Sequence, residues 1–146
     1  MVSCKDFVGR VAAGLGAYGR GSVIADEDVP SMLVLSERAR RVGKLVPVHL
    51  EIDTGMGRSG LNADVAVDII VQTSRLPGLL VEGVYTHFPV SDTDLEYSRA
   101  QLGRFLDLVG RLRQAGVDPA LVHASNSAAV LQVGAAHLDM VRPGGV

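Results

Sequence analysis

The sequence predicts an α/β fold in which parallel strands alternate with helices. Short apolar segments of strand type are followed by amphipathic segments of helical period at least three times, and a further strand is expected near the end of the 146 residues. Polar residues cluster directly after each strand. This alternation leaves two architectures open, a doubly wound sheet or a (β/α)8 barrel. Because a complete barrel takes roughly 250 residues, only a partial barrel of about four βα units would be present.

The composition favours one globular domain and argues against several classes of function. Hydrophobic residues make up 47% of the chain, and the net charge of −2 comes from interleaved acidic and basic residues, so there is no basic stripe for nucleic acid or for a membrane surface. The single cysteine, Cys4, excludes an intrachain disulfide. No apolar run is long enough to cross a bilayer, and the amino terminus lacks the pattern of a secretory signal. We expect a cytoplasmic protein.

The first half of the chain predicts two helices, a strand and a third helix. Apolar residues recur at helical spacing over 5–15, and again from Pro30 to Gly43, where proline and glycine stand at the ends that favour them. Residues 46–52 alternate between apolar and polar side chains, which is typical of a strand. A glycine-punctuated loop without regular structure follows, and Asn62 is expected to cap a helix that ends near Arg75.

The second half predicts three more strands and two more helices. Residues 79–85 form a nearly continuous apolar run, as expected of a parallel strand covered on both faces. A long amphipathic helix over 95–115 follows, then a strand over 121–124 and a short helix over 128–133. Residues 138–142 resemble a last strand.

The polar residues after the strands predict a binding site, since the carboxyl ends of parallel strands meet at one edge. Donors outnumber bases in this set, which suits an anionic and phosphorylated ligand. Arginines in such a site hydrogen-bond a ligand while remaining charged. The candidate residues are Asp53, Arg58, His87, Asn126, Ser127, Arg142, Gly144 and Gly145.

Four segments of the chain resemble successive motifs of the alanine racemase family, in the same order and at similar spacing. They are Asp53-Thr-Gly-Met-Gly-Arg-Ser-Gly60, Tyr85-Thr-His-Phe88 with Asp92, Ala124-Ser-Asn-Ser-Ala128 and Val141-Arg-Pro-Gly144. The resemblance covers residues 24–146 and implies a pyridoxal 5′-phosphate enzyme that forms a homodimer. It also implies an amino-terminal (β/α)8 barrel, a carboxyl-terminal β domain, and interconversion of L- and D-alanine by two-base proton transfer at Cα.

The resemblance also implies roles for the catalytic and orienting residues. Arg58 would contact the phenolic oxygen of the cofactor, His87 would lie beside its ring, and Arg142 would face the pyridine nitrogen. Glu51 stands where many relatives have a lysine that becomes carbamylated, so its carboxylate is expected to orient Arg58. Asp53 is expected to be a second orienting residue. No metal ligand is implied.

The phosphate-binding residues come from the last two motifs. Ser127 and the backbone of Gly144 and Gly145 would hold the phosphate, with Asn126 beside them. Gly145 replaces the branched apolar residue usual in the family.

Departures from the family pattern predict an incomplete domain. Residues 1–146 are interpreted as part of the amino-terminal barrel, without the upstream segment that carries the Schiff-base lysine and without the carboxyl-terminal β domain that carries the second base. Ala17-Tyr-Gly-Arg-Gly21 echoes half of the lysine motif, but Gly14 stands at the lysine position. We expect this chain by itself to be inactive.

Two other functions compete with the racemase. One is a non-catalytic protein that binds pyridoxal phosphate. The other is a metal-dependent barrel hydrolase, for which the candidate ligands are His49, Glu51, Asp53, His87 and His123. The residues leave open whether an amino-acid substrate would be alanine, serine or a basic amino acid.

Overall fold

The computed structural model describes residues 23–25 and 29–144. The helix predicted over 5–15, the segment Ala17-Tyr-Gly-Arg-Gly21 and Gly145 lie outside the described residues. The elements in chain order are β1 Val23–Ala25, α1 Val29–Arg41, β2 Val46–Asp53, β3 Leu61–Asn62, α2 Ala63–Ser74, β4 Leu79–Tyr85, α3 Leu95–Gln114, β5 Leu121–His123, α4 Ser127–Gln132 and a 3-10 turn Gly134–Ala136.

The sheet is parallel and its main strands follow the order of the sequence. The order is β1-β2-β4-β5, and β3 pairs with the carboxyl end of β2. A doubly wound sheet reverses its strand order at a switch point, whereas a barrel adds each new strand on the same side. The described strands show no reversal, which favours the barrel.

The helices that the structure describes begin and end close to the predicted residues, because local signals define their ends. Asn62 Oδ1 accepts a hydrogen bond from Asp64 N at 2.9 Å, and Asp94 Oδ1 accepts one from Tyr97 N at 2.9 Å, so both caps satisfy free amides of a first turn. Gly43, with a φ of +65°, lies just beyond the end of α1, in a conformation that L residues avoid.

The hydrophobic core lies between the sheet and helices α1 to α3. Phe105 from α3 is fully buried there, and so are the apolar residues of β2 that face the helices. Because side chains alternate along a strand, His49 and Glu51 lie on the other face of β2. Both are nevertheless buried, so the polar face of this strand is an interior surface of the protein.

Two sequence predictions are wrong in detail. The loop after β2 is followed by the two-residue strand β3 before the helix begins. Residues 138–142 form only a single parallel bridge, between Met140 and His123. Leu138 has a φ of +47°, which a strand residue does not adopt. Val122 N donates to the side chain of Asp139 at 2.9 Å, whereas in a strand pair it would donate to a backbone carbonyl. Within the described residues, no helix is long and apolar enough to cross a membrane.

Candidate functional site

Arg142 lies at the carboxyl ends of β4 and β5, where its guanidinium is held by three acceptors. Nη1 donates to His123 Nδ1 at 2.6 Å, while Nη2 donates to Thr86 O at 2.9 Å and to Ala124 O at 3.3 Å. The guanidinium carbon lies 4.9 Å from the centroid of the Tyr85 ring. Burial lowers the pKa of Arg142, although nearby Tyr85 opposes that shift. The side chain is therefore fixed in position before any ligand binds.

The pKa of His87 is affected by both candidate arginines. Burial lowers the pKa of this partly buried imidazole, and the charges of Arg142 and Arg58 lower it further. Both arginines therefore act electrostatically on His87. The ring is therefore neutral at neutral pH.

Two of the residues predicted to bind phosphate, Ser127 and Gly144, are in contact. Gly144 N donates to Ser127 Oγ at 3.0 Å, which joins the terminal segment to the first residue of α4. Asn126 is the N-cap of α4, since its Oδ1 accepts from Ala129 N at 3.0 Å. Its Nδ2 donates to Phe88 O at 3.0 Å and so connects α4 to the loop after β4.

Asp53 holds the glycine-rich loop from within. Its carboxylate accepts from the backbone N of Gly55 at 2.8 Å, of Met56 at 2.7 Å and of Gly57 at 2.9 Å. These amides would otherwise form an anion-binding concavity. Asp53 already occupies this concavity, and Arg58, the next residue of the loop, is exposed.

Glu51 is connected to Arg142 through Tyr85, which is absent from the candidate residues predicted from the sequence. Glu51 Oε2 accepts from the Tyr85 hydroxyl at 3.0 Å and from Ser59 Oγ at 3.2 Å. The ring of Tyr85 stacks on that of His123, with centroids 5.0 Å apart and planes 3° from parallel. In the sequence, the strand periodicity places Glu51 and Tyr85 on one face of their strands. That they are neighbours follows only from the register of β2 and β4, which pairs Glu51 with Tyr85.

His49 and His123, assigned in the sequence to the metal alternative, contact each other. His49 Nδ1 lies 2.7 Å from His123 Nε2, and His49 Nε2 lies 3.1 Å from Glu82 Oε2. All four ring nitrogens thus have partners, since His123 Nδ1 accepts from Arg142. In the described part of the chain, no three His, Cys, Asp or Glu side chains are grouped to hold a metal ion.

The buried His123 is expected to make the protein less stable as the pH falls. Burial, then the charge of Arg142 and the neighbouring His49, lower its pKa from 6.5 to about 3. Since the unfolded state takes up the proton first, this contribution is complete above pH 6.5 and is lost progressively as the pH falls towards 3. The loss amounts to a few kcal/mol, at ~1.4 kcal/mol per unit. Urea unfolding of wild type and His123→Gln at several pH values measures it.

The variant should show a flatter pH dependence than the wild type, even though it is less stable overall. His137→Gln serves as the control because His137 is exposed. Parallel pH curves for wild type and His123→Gln would contradict the prediction.

Comparison with known proteins identifies the family. Residues 24–146 match the family model described as the alanine racemase N-terminal domain. The chain belongs to the alanine racemase family. This is a family of isomerases, and the four motifs named above all lie within the matched residues.

Individual relatives agree with this assignment. Alanine racemase 2 of Caldanaerobacter subterraneus subsp. tengcongensis is 44% identical over 119 residues, which cover 80% of this chain and 31% of that protein. Alanine racemase of Treponema denticola is 42% identical over 114 residues, covering 75% of this chain and 30% of that protein. The chain thus spans about a third of the length of these relatives.

The structure matches a solved alanine racemase over almost its whole length. The alanine racemase of Clostridium difficile 630 in complex with cycloserine superimposes with a TM-score of 0.85 at 27% identity, covering 99% of this chain and 38% of that one. The fold is therefore part of a (β/α)8 barrel, as predicted.

Proposed function

We propose that the chain forms the cofactor-facing part of a pyridoxal 5′-phosphate-dependent racemase that interconverts L- and D-alanine. The observation that carries this proposal is that Arg142 is held at the carboxyl ends of β4 and β5, with Gly144, two residues further along the chain, hydrogen-bonded to Ser127. The electrostatic effect of Arg58 and Arg142 on His87 supports it. The relatives named alanine racemase support alanine as the substrate. As in the family, we expect the complete protein to act as a homodimer.

The donor chemistry of the site fits pyridoxal phosphate. The Ser127 hydroxyl and the backbone amide of Gly144 are suited to a phosphate, and Arg58 to a phenolic oxygen. Arg142 has only donors and keeps its proton, so it would hydrogen-bond a pyridine nitrogen without protonating it. His87, held neutral, adds no third positive charge beside the two arginines.

The cofactor, when bound, supplies an electron sink for the charge that develops at Cα as a proton leaves. The residues of this chain would bind and orient it. Arg142, fixed by His123, Thr86 and Ala124, would limit how far that sink draws charge, because its proton is not transferred to the ring. Restrained stabilisation suits racemisation, in which one proton leaves and another returns to the opposite face.

The two bases are expected from other segments of the protein. Lys44 lies between α1 and β2, at the amino end of that strand, whereas the candidate site is at the carboxyl ends. A lysine at this edge is remote from Arg142 along the strand direction. We therefore propose that residues 1–146 are an incomplete barrel domain and that this chain alone does not racemise alanine.

The full-length gene product tests the proposal, with racemisation of L-alanine and binding of pyridoxal phosphate measured separately. Ser127→Ala should weaken cofactor binding by about 10-fold or more, since a hydrogen bond to a charged group contributes about 1.5–3 kcal/mol. Ser74→Ala is the matched control, because its hydroxyl donates to Val71 O at the end of α2, away from the site.

The two readouts separate the remaining alternatives. Unchanged cofactor affinity in Ser127→Ala would contradict the phosphate site. Tight cofactor binding without racemisation would favour the alternative of a non-catalytic protein that binds pyridoxal phosphate. The position of Lys44, at the opposite end of β2 from the candidate site, is consistent with that alternative.

A further inference from the structure

A chain of hydrogen bonds crosses the buried face of the sheet from Arg142 to Glu82. Arg142 Nη1 lies 2.6 Å from His123 Nδ1, His123 Nε2 lies 2.7 Å from His49 Nδ1, and His49 Nε2 lies 3.1 Å from Glu82 Oε2. His123 is 2% exposed and His49 is 4% exposed. The Glu82 side chain, at 33% exposed, reaches solvent.

Both ends of this chain require the same direction of donation. A guanidinium has only donors, so His123 Nδ1 must accept and its proton lies on Nε2. That proton is donated to His49 Nδ1, and the proton of His49 therefore lies on Nε2. A carboxylate only accepts, so Glu82 takes this last hydrogen bond. Both rings are neutral and both carry their proton on Nε2.

We propose that Glu82 is a positioning residue for Arg142, because it fixes the proton positions of His49 and His123. Without an acceptor at its Nε2, His49 is free to carry its proton on Nδ1. That proton would point at His123 Nε2 and move the proton of His123 to Nδ1, facing the donors of Arg142. Glu82 excludes this arrangement and so keeps His123 as an acceptor for the guanidinium.

The packing around the two histidines supports this role. Ring centroids of His49 and His123 are 5.0 Å apart, and a Cβ on Gly83 would lie only 2.7 Å from the His49 ring. The His49 ring therefore lies tightly against the backbone at Gly83, and the His123 ring is stacked on that of Tyr85. A change of hydrogen-bond direction can occur only by a change of tautomer, which Glu82 controls.

The experiment is ¹⁵N NMR of histidine-labelled full-length protein, which reports ring tautomers directly. We expect both His49 and His123 as neutral Nε2–H forms in the wild type. Glu82→Gln keeps a carbonyl acceptor and should preserve them. Glu82→Leu removes the acceptor and should give comparable populations of both His49 tautomers. Glu37→Leu, which removes a surface glutamate paired with Arg40 and Arg41, is the control and should change neither ring.

The consequence for catalysis rests on the proposed function and is measured separately. Glu82→Leu should lower kcat/KM by about twofold, because comparable tautomer populations leave about half of the molecules with His123 as an acceptor, and Glu82→Gln should restore it. An Nδ1–H or charged ring in the wild type would overturn the proposal, even if Glu82→Leu fails to fold. Unchanged His49 tautomers in a folded Glu82→Leu would also overturn it. Because the NMR result does not depend on turnover, it stands if racemisation is absent.

Discussion

Replacing Arg142 by lysine in the full-length protein is expected to lower racemisation of alanine by about 100-fold or more. Arg142 divides its donors between His123 Nδ1 at one nitrogen and Thr86 O and Ala124 O at the other. Lysine keeps the charge but has one ammonium group, which cannot reproduce this planar fork. Removing a preorganised donor typically costs 10²–10³ in rate. Steady-state kinetics in both directions measure the effect.

Arg142→Glu tests the same site in a different way. A carboxyl group shares a proton with a pyridine nitrogen, so this variant is expected to slow racemisation or redirect the reaction. Arg113→Lys is the control, because Arg113 is exposed and pairs with Asp118 at 2.8 Å. A value of kcat/KM within about threefold of wild type for both Arg142 variants would refute the role given to this residue.

Replacing Gly83 by alanine is expected to destabilise the protein by about 3 kcal/mol. The new Cβ would lie 2.7 Å from the ring of His49 and 2.8 Å from Leu121 O, and neither a packed ring nor a strand backbone yields easily. Overpacking of this kind costs typically 1–3 kcal/mol, and separating His49 from His123 leaves buried donors unsatisfied. Urea denaturation, analysed at constant m-value, measures the change.

Gly103→Ala provides a control of opposite sign. Gly103 lies within α3, and nothing lies within 4 Å of a Cβ added there. Alanine should stabilise that helix by up to about 1 kcal/mol. Equal stability of the two variants would show that the space beside His49 is not restrictive.

Local signals in the sequence predicted most of the elements. Asn62 and Asp94 cap their helices through contacts within three residues, and the apolar run over 79–85 corresponds to β4. The prediction of a strand over 138–142 was wrong because Leu138 has a positive φ and the Asp139 side chain, not a backbone carbonyl, accepts from Val122 N. Neither feature follows from hydrophobic periodicity.

The candidate site was predicted only in part, since motifs identify residues but not their partners. Arg58, His87 and Arg142 were selected from the motifs, yet Tyr85 and Glu82 were not. Their roles depend on the register of β2 and β4, which contains an irregularity between Val48 and His49. A shift of one residue in that register would turn other side chains towards the site.

The sequence by itself determined the alternation of strands and helices, the caps and the membership of a racemase family, because each of these depends on neighbouring residues or on conserved order along the chain. Tertiary structure alone decided which buried polar groups meet. Glu82 and His123 lie 33 and 74 residues after His49 along the chain. The three residues become partners only when three parallel strands align. Burial then makes their hydrogen bonds obligatory, which gives the chain from Glu82 to Arg142 its direction.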